Sequence, residues 1–386
     1  MSFLKLVIRN AFRQRLRTFL TIFAMAVAIL AFCLLDTVVE AWYVGVNSAS
    51  PNRLVSRNSV SLIFPLPLNY RSRMQMVPGV DQAVYANWFG GVYIDEHHFF
   101  PRMAVGPNNY FDIFPEFLIS KDELKAFWKQ RNACIVGRKL IEQYGWKPGD
   151  TITLTGNIYP GEWSFVVRGA YRGATKSVDE TLFFFHWDYL DETLKKKMPT
   201  RAGQVGWYVI QIRDPADAAQ ISESVDDLFK NSSAETLTET EKAFQAGFLA
   251  MTEAIVIAVR IVSYVVIGVI LIVLVNTMAM TSRERTPEYA ILKTMGFGSK
   301  HLWALIAGES VFISMLGATL GFALSYPAAN VFSSNAGTLL PVFQIHFWKT
   351  LSFCALASFG IGILSALLPI WGASHIRIAQ ALRHLG

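Results

Sequence analysis

Four stretches of this chain are long and apolar enough to cross a bilayer, and they lie towards its two ends. Thr18 to Leu35, Ile261 to Ser282 and Thr350 to Ser374 carry no charge, and Leu302 to about Asn330 is interrupted only by Glu309. Crossing the hydrocarbon takes about 20 residues of helix. A spanning segment must satisfy its own backbone hydrogen bonds, so helices are the form these runs take. Between the first and second runs lie roughly two hundred residues of water-soluble character. That arrangement excludes a pure membrane bundle. Only 17% of the 386 residues are charged, against about 25% in soluble domains, which argues against a soluble enzyme.

The distribution of charge sets the expected topology. The net charge is +6, yet the basic excess is confined to segments flanking the apolar runs. Lys5, Arg9, Arg13, Arg15 and Arg17 precede the first run without an acid. Arg283, Arg285, Lys293 and Lys300 outweigh Glu284 and Glu288 in the loop after the second, and Arg377 and Arg383 follow the fourth. The rest of the chain is net acidic. This is the positive-inside pattern, not a nucleic-acid face, and contact with membrane lipids comes with it. It places both ends and the loop around 283–301 in the cytoplasm. The first run is expected to be a retained anchor, because Asp36, Glu40 and Trp42 follow it where a signal peptide would carry a small-residue cleavage site.

The expected fold class is a membrane protein with four transmembrane α-helices. A large α+β extracytoplasmic domain is inserted between helices 1 and 2 on a helical stalk. In residue numbers, 1–17 is a cytoplasmic amphipathic helix, 18–45 helix 1, 46–237 the outer domain, and 238–282 the stalk with helix 2. Then 283–301 is a cytoplasmic loop, 302–330 helix 3, 331–346 an outer loop, 347–374 helix 4 and 375–386 a cytoplasmic tail. In the outer domain, VYANWFGGVYI, ITLTG, WSFVVRGAY and WYVIQI read as strands. KDELKAFWKQ, VGRKLIEQYG and PADAAQISESVDDLFK read as helices, the last capped by Asp214. From Thr238 to Met280 the pattern is helical, with Phe244, Phe248, Met251 and Ile255 on one stripe. As one helix this would measure about 64 Å; a break near Gly247 is the competing reading.

Few residues suggest chemistry. Cys134 reads as a core residue, Cys33 and Cys354 lie in apolar runs, and no zinc spacing occurs. Asp95-Glu96-His97-His98, with His186 elsewhere, is the one metal-like cluster. It is read as a hairpin turn between VYI and FFPRM, because consecutive strand residues face opposite ways. No metal site and no catalytic residue is expected. TLFFFHW reads as a core strand, with a surface for hydrophobic cargo as the alternative. No GxxxxGK[ST] phosphate loop occurs in this sequence.

The inner loop TSRERTPEYAILKTMGFGSKHLWALIAGESVFISMLGATLGFAL resembles the permease signature of the FtsX/MacB superfamily of ABC transporters. Arg283–Thr286, Tyr289–Met295, Gly296, Glu309, Gly317 and Gly321 carry the likeness. The ending, with Pro369 and Ala381–Arg383, is similar, although Pro287, Phe297 and Ile378 depart from the pattern. ACIVGRKLIEQYGWKPGDTITLTG and FVVRGAY resemble the MacB-type periplasmic core.

The resemblance implies a permease that is not itself an enzyme, in the bacterial inner (cytoplasmic) membrane with its large domain in the periplasm. It implies a separate ABC ATPase subunit, in two copies, which binds the ATP and Mg; no cofactor belongs to this chain. It also implies a second permease chain, with a homodimer favoured over a heterodimer. A periplasmic adaptor or cargo protein is an open partner. ATPase-driven movement would pass through the long helices to the periplasmic domain, for export or extraction of a hydrophobic, peptide or lipid cargo. The alternative is FtsX-like signalling to a cell-wall enzyme without transport. The expected ATPase-coupling residues are Arg283, Glu284, Arg285, Glu288, Tyr289, Ile291, Leu292 and Met295, with Tyr289, Ile291, Leu292 and Met295 on one docking face.

Four intramembrane polar residues need partners. Asp36 or Glu40 is expected either to pair with Arg260 or to reach interfacial water. Glu309 is expected to pack structurally, neutral or bonded to Asn276 or Thr277. Gly317 and Gly321 form a small-xxx-small pair suited to close helix contact.

Overall fold

The computed structural model describes residues 3–95, 98–336 and 347–374. It divides into two compact units, one of residues 1–40, 253–335 and 343–386 and one of residues 41–252 and 336–342. Most of the expected outer loop and all of the expected tail, including Ile378 and Ala381–Arg383, lie outside the described residues.

The first unit is helical. Its elements are α1 (Phe3–Ala11), α2 (Arg15–Ser48), α3 (Glu241–Glu284), α4 (Thr286–Thr294), α5 (Ser299–Ala336) and α6 (Phe347–Ser374). Four stretches have the length and composition to cross a membrane: Arg15–Ser48, Glu253–Glu284, Ser299–Phe332 and Phe347–Trp371. The chain is therefore a multi-pass membrane protein. Ile22, Met25 and Ile29 of α2 pack with Ile270, Leu274 and Met278 of α3, Ile313 and Phe322 of α5, and Ile361 of α6. Phe32 stacks on Phe353 at 4.8 Å between centroids, and the Sγ atoms of Cys33 and Cys354 come to 3.5 Å.

Helices α2 and α5 approach closely because α5 carries glycine where they meet. A Cβ on Gly317 would lie 2.5 Å from Met25 Cβ, and one on Gly321 would lie 2.4 Å from the Ala26 carbonyl oxygen. Small residues are what let helix backbones meet within a membrane.

The second unit is α+β. Ten strands of its mixed main sheet run, edge to edge, Thr236–Thr240, Arg53–Asn58, Trp207–Ile212, Val80–Trp88, Arg102–Gly106, Phe183–His186, Ala133–Gly137, Gly161–Gly173, Thr151–Gly156 and Gly91–Val92. Phe183–His186 runs parallel to Arg102–Gly106, and Ala133–Gly137 runs parallel to Gly161–Gly173. The helix Lys121–Lys129 starts at a full capping box of Ser120 and Glu123, and Arg138–Tyr144 ends at Gly145 with φ +68°. Both are the endings their sequences encode. Asp214 accepts a hydrogen bond from the Ala216 N–H at the turn before Ala218–Phe229.

Two expectations are corrected. Thr238 is not helical: Thr236–Thr240 is an edge strand paired with Arg53–Asn58, and α3 begins at Glu241. Threonine at every second position, 236, 238 and 240, suits a strand, and the Thr238 hydroxyl is held by Asp226 and Ser56. The side chains of Phe248 and Met251, half of the expected stripe, lie outside the described residues. Second, VYI and FFPRM do not form a hairpin. Gly91–Val92 pairs with Thr155 and Gly156 at the opposite sheet edge, while Arg102–Gly106 pairs inside the sheet. TLFFFHW is a core strand as its sequence reads: Phe183, Phe184, Phe185 and Trp187 are all buried, which removes the cargo-surface alternative.

Gly321→Ala is expected to cost about 1–3 kcal/mol, the range for overpacking a tight contact. It should lower the thermal midpoint of the purified protein. Gly360→Ala in α6, where no atom lies within 4 Å of the added Cβ, should leave the midpoint unchanged or raise it.

Candidate functional site

The loop after α3 is the most heavily cross-linked charged region of the helical unit. Pro287 sits in the first turn of α4, where its missing N–H costs nothing. Gly296, with φ +90°, ends the helix. The Phe297 N–H reaches the Leu292 carbonyl at 3.0 Å and the Gly296 N–H the Lys293 carbonyl at 3.1 Å. This paired arrangement is a Schellman ending, which favours glycine at the left-handed position.

Hydrogen bonds of Arg285, Glu284 and Glu288 pin this loop to its own unit. Arg285 Nη1 donates to Glu309 Oε2 of α5 at 2.8 Å, and Nη2 donates to the Asn10 carbonyl at 2.8 Å. Both side chains of this ion pair are buried, at 7% and 6% exposure. Arg17 forms a two-pronged contact with Glu284, at 2.9 and 2.8 Å, and Gln14 Nε2 adds a third bond at 2.7 Å. Arg13 Nη1 meets Glu288 Oε1 at 2.5 Å. The more exposed pairs contribute little each, because water screens them. The buried pair is different: removing one partner leaves a charge without compensation.

Apolar contacts reinforce the charges. Tyr289 is buried in a cluster with Val7 of α1, Leu302, Leu305 and Ile306 of α5 and Ala366 of α6, and Leu292 packs against it. Burial pushes the Tyr289 phenol up to about 12, so it is neutral at physiological pH. Ile291, Met295 and Phe297 point the other way, at 45%, 69% and 44% exposure. In α1 Val7 is buried, while the side chains of Phe3, Leu4 and Lys5 lie outside the described residues.

The expected site residues therefore divide. Tyr289 and Leu292 turn into the bundle, so the four apolar residues of α4 do not share one docking face. Their three-residue spacing brings these two together, and Ile291 and Met295, four apart, share the exposed side. Arg285 is not on a docking surface either; it turns inward to Glu309. Glu309 is bonded to Arg285, not to Asn276 or Thr277. Glu284 and Glu288 face α1 and the start of α2, and Arg283 is exposed.

At the far end of the bundle, Glu40 pairs with Lys349 of α6, so the pairing expected with Arg260 is replaced. Lys349 lies one residue before the uncharged run that marks the fourth span. Arg260 is exposed on α3, and no ion pair joins it to Asp36 or Glu40 among the described residues. Asp36 is half-buried.

The partnership of the first basic segment with the loop was the signal missed in the sequence. Arg13 and Arg17 are four apart, as are Glu284 and Glu288, and the two pairs align head to tail. Among the described residues no group of three or more His, Cys, Asp or Glu side chains is placed to hold a metal. Glu96 and His97 lie outside them. His186 is buried against Phe127, with Nε2 2.7 Å from the Phe127 carbonyl oxygen. Burial pushes its imidazole below the usual histidine range.

Two family models match the chain in tandem. The MacB-like periplasmic core domain matches residues 18–228, and the FtsX-like permease C-terminal domain matches residues 260–378. The chain belongs to the FtsX/MacB superfamily of ABC transporter permeases. An ABC transporter permease of Methanocaldococcus jannaschii, itself uncharacterized, is 24% identical over 326 residues, covering 80% of this chain and 77% of that one. A permease protein of Mycobacterium tuberculosis is 24% identical over 201 residues, covering 52% of this chain but 22% of that longer protein.

Among solved structures, the periplasmic region of MacB from Actinobacillus actinomycetemcomitans is 10% identical with TM-score 0.38, covering 53% of this chain and 95% of that one. The extracellular domain of the transporter YknZ from Gram-positive bacteria is 12% identical with TM-score 0.36, covering 49% and 99%. Membership of this superfamily implies an ATPase partner. The α4 loop lies within the FtsX-like permease match.

Arg285→Met and Glu309→Leu are each expected to destabilise this permease by about 3–5 kcal/mol, because each strands a buried charge. The double substitution should recover most of that loss. Thermal unfolding of the four purified proteins measures it. Additive losses in the double variant would show that the two side chains do not act as a pair.

Proposed function

We propose that this permease transmits movement from a separate ATPase to its outer domain, and that α4 with the turn after it is the handle the ATPase grips. The observation that carries this reading is the division of α4: Tyr289 and Leu292 anchor it to the bundle, while Ile291, Met295 and Phe297 stay exposed. A short amphipathic helix with an uncovered apolar edge is the form that fits a groove on a partner. Because Arg285 ties the loop to α5 and α1 and Arg17 ties it to α2, a push on α4 loads three helices together.

In this reading both chain ends and the 283–301 loop are cytoplasmic, and the membrane is the bacterial inner membrane. The outer domain is periplasmic. Two ATPase subunits bind ATP and Mg and drive two permease chains, favoured as identical copies. Support for a second copy comes from α3, where Ile261, Val265, Val269 and Ile272 are all more than half exposed on one helical stripe. Work is done on a hydrophobic, peptide or lipid cargo at the outer side. The spanning helices offer no run of charged groups to line a hydrophilic path.

Ile291→Asp combined with Met295→Asp is expected to weaken co-purification of the ATPase at least tenfold while leaving the thermal midpoint of the permease unchanged. Leu292→Asp should instead lower the midpoint, because it places a charge in the cluster with Tyr289. Full retention of the ATPase by the double variant would contradict the proposed docking edge.

A further inference from the structure

A furrow of about 750 Å³ runs between α2 and α3, at the end of the helical unit where Arg17 meets Glu284. Leu16 and Leu20 of α2 and Val273 of α3 form its walls, and they are 74%, 55% and 39% exposed. Thr21, Ala24 and Thr277, more deeply placed, form its floor. The sequence builds it by spacing. Leu16, Leu20 and Ala24 recur every fourth residue, as do Val273 and Thr277, so each set lies along one helix face. The floor residues are small, which leaves open the space that larger side chains would fill. Thr21 Oγ1 donates to the Arg17 carbonyl at 2.9 Å and Thr277 Oγ1 to the Val273 carbonyl at 2.8 Å. Both hydroxyls are therefore satisfied within their own helices, and the floor makes no demand for water. From Arg15 to Ala24 the helix rises about 14 Å.

One end of the furrow differs from the rest. Arg15, the first residue of α2, is exposed and lines it there. Arg17 also lines that end, but its guanidinium is engaged by Glu284. Because α2 begins at this point, its first N–H groups and the positive end of its dipole add to the charge of Arg15. A cation at the mouth of an apolar furrow, at the end of a spanning helix, matches an amphiphile with an anionic head and an apolar tail. A second copy of this chain fits less well. Residues 1–17 carry five basic residues and no acid, so two copies meeting at this end would set like charges together.

We propose that this furrow is a binding site for one anionic phospholipid, whose phosphate meets Arg15 and whose acyl chain lies along Leu16, Leu20 and Val273. Arginine suits the head group because its planar fork matches phosphate oxygens. The site belongs to the helical unit alone and does not depend on how α4 couples to an ATPase.

The test uses the full chain, delipidated in detergent, with native mass spectrometry to count bound lipid. Dioleoylphosphatidylglycerol is expected to fill one site per chain about fivefold or more tightly than dioleoylphosphatidylcholine, which has the same tails; that is the effect of one basic residue on an anionic lipid. Arg15→Gln should remove most of that preference. Arg9→Gln, an equal loss of charge on α1, should leave it unchanged. Leu20→Ala, which lowers an exposed wall, should weaken phosphatidylglycerol about threefold without moving the thermal midpoint. Glycerol 3-phosphate, the head-group phosphate without tails, should not displace the lipid. Equal affinity for the two lipids, equal effects of the two arginine variants, unchanged binding by Leu20→Ala, or displacement by glycerol 3-phosphate would each overturn the proposal. So would oxidative cross-linking of the Leu20→Cys variant between two chains in membranes, which would put a second copy in the furrow.

Discussion

The helical unit depends on one buried ion pair. Arg285 lies at the junction of α3 and α4 and reaches Glu309 inside α5, while its second nitrogen holds the last turn of α1. Such a pair is a poor source of net stability, because both ions lose their water. Its value is geometric. An arginine fork satisfied by a carboxylate on one side and a carbonyl on the other fixes three helices in one register. The cost of separating the charges keeps them there. The more exposed contacts of Arg13 and Arg17 with Glu288 and Glu284 then set how α4 lies against α1 and the start of α2.

That arrangement divides labour along a nine-residue helix. Residues facing the bundle are large and buried, and those facing away are apolar and uncovered. The chain keeps Ile291, Met295 and Phe297 exposed, an apolar edge of the kind a partner protein covers. Glycine at 296 stops the helix after its last exposed residue and turns the chain into α5. The close contact of α2 with α5 at Gly317 and Gly321 serves the same end, since helices that meet backbone to backbone shift together more readily than helices separated by flexible side chains.

Much of this was legible in the sequence because the bilayer imposes strong rules. Span length, absence of charge and flanking arginines gave four spans, and the Arg-Glu-Arg-Thr loop gave the superfamily. Three outer helices were legible from their own patterns, although Asp214, read as the cap of the last, caps the short turn 215–217 ahead of Ala218–Phe229. What failed required partners distant in sequence. Glu309 was read against its membrane neighbours on α3, when its partner lies in the loop. Glu40 found Lys349, a residue just outside the run used to define the fourth span. Arg53–Asn58, a polar segment, was missed as a strand because its neighbours in the sheet, and not its own pattern, make it one. The last three residues of Thr236–Thr240 were drawn into the helix that follows for the same reason.

The most direct test of the central claim is photo-crosslinking in cells from position 295, with position 348 at the opposite end of the bundle as the comparison. Each position would carry a benzophenone side chain. The account predicts that position 295 crosslinks to a nucleotide-binding subunit and that position 348, where Trp348 is 76% exposed, does not. Crosslinks to that subunit from 348 and none from 295 would contradict it.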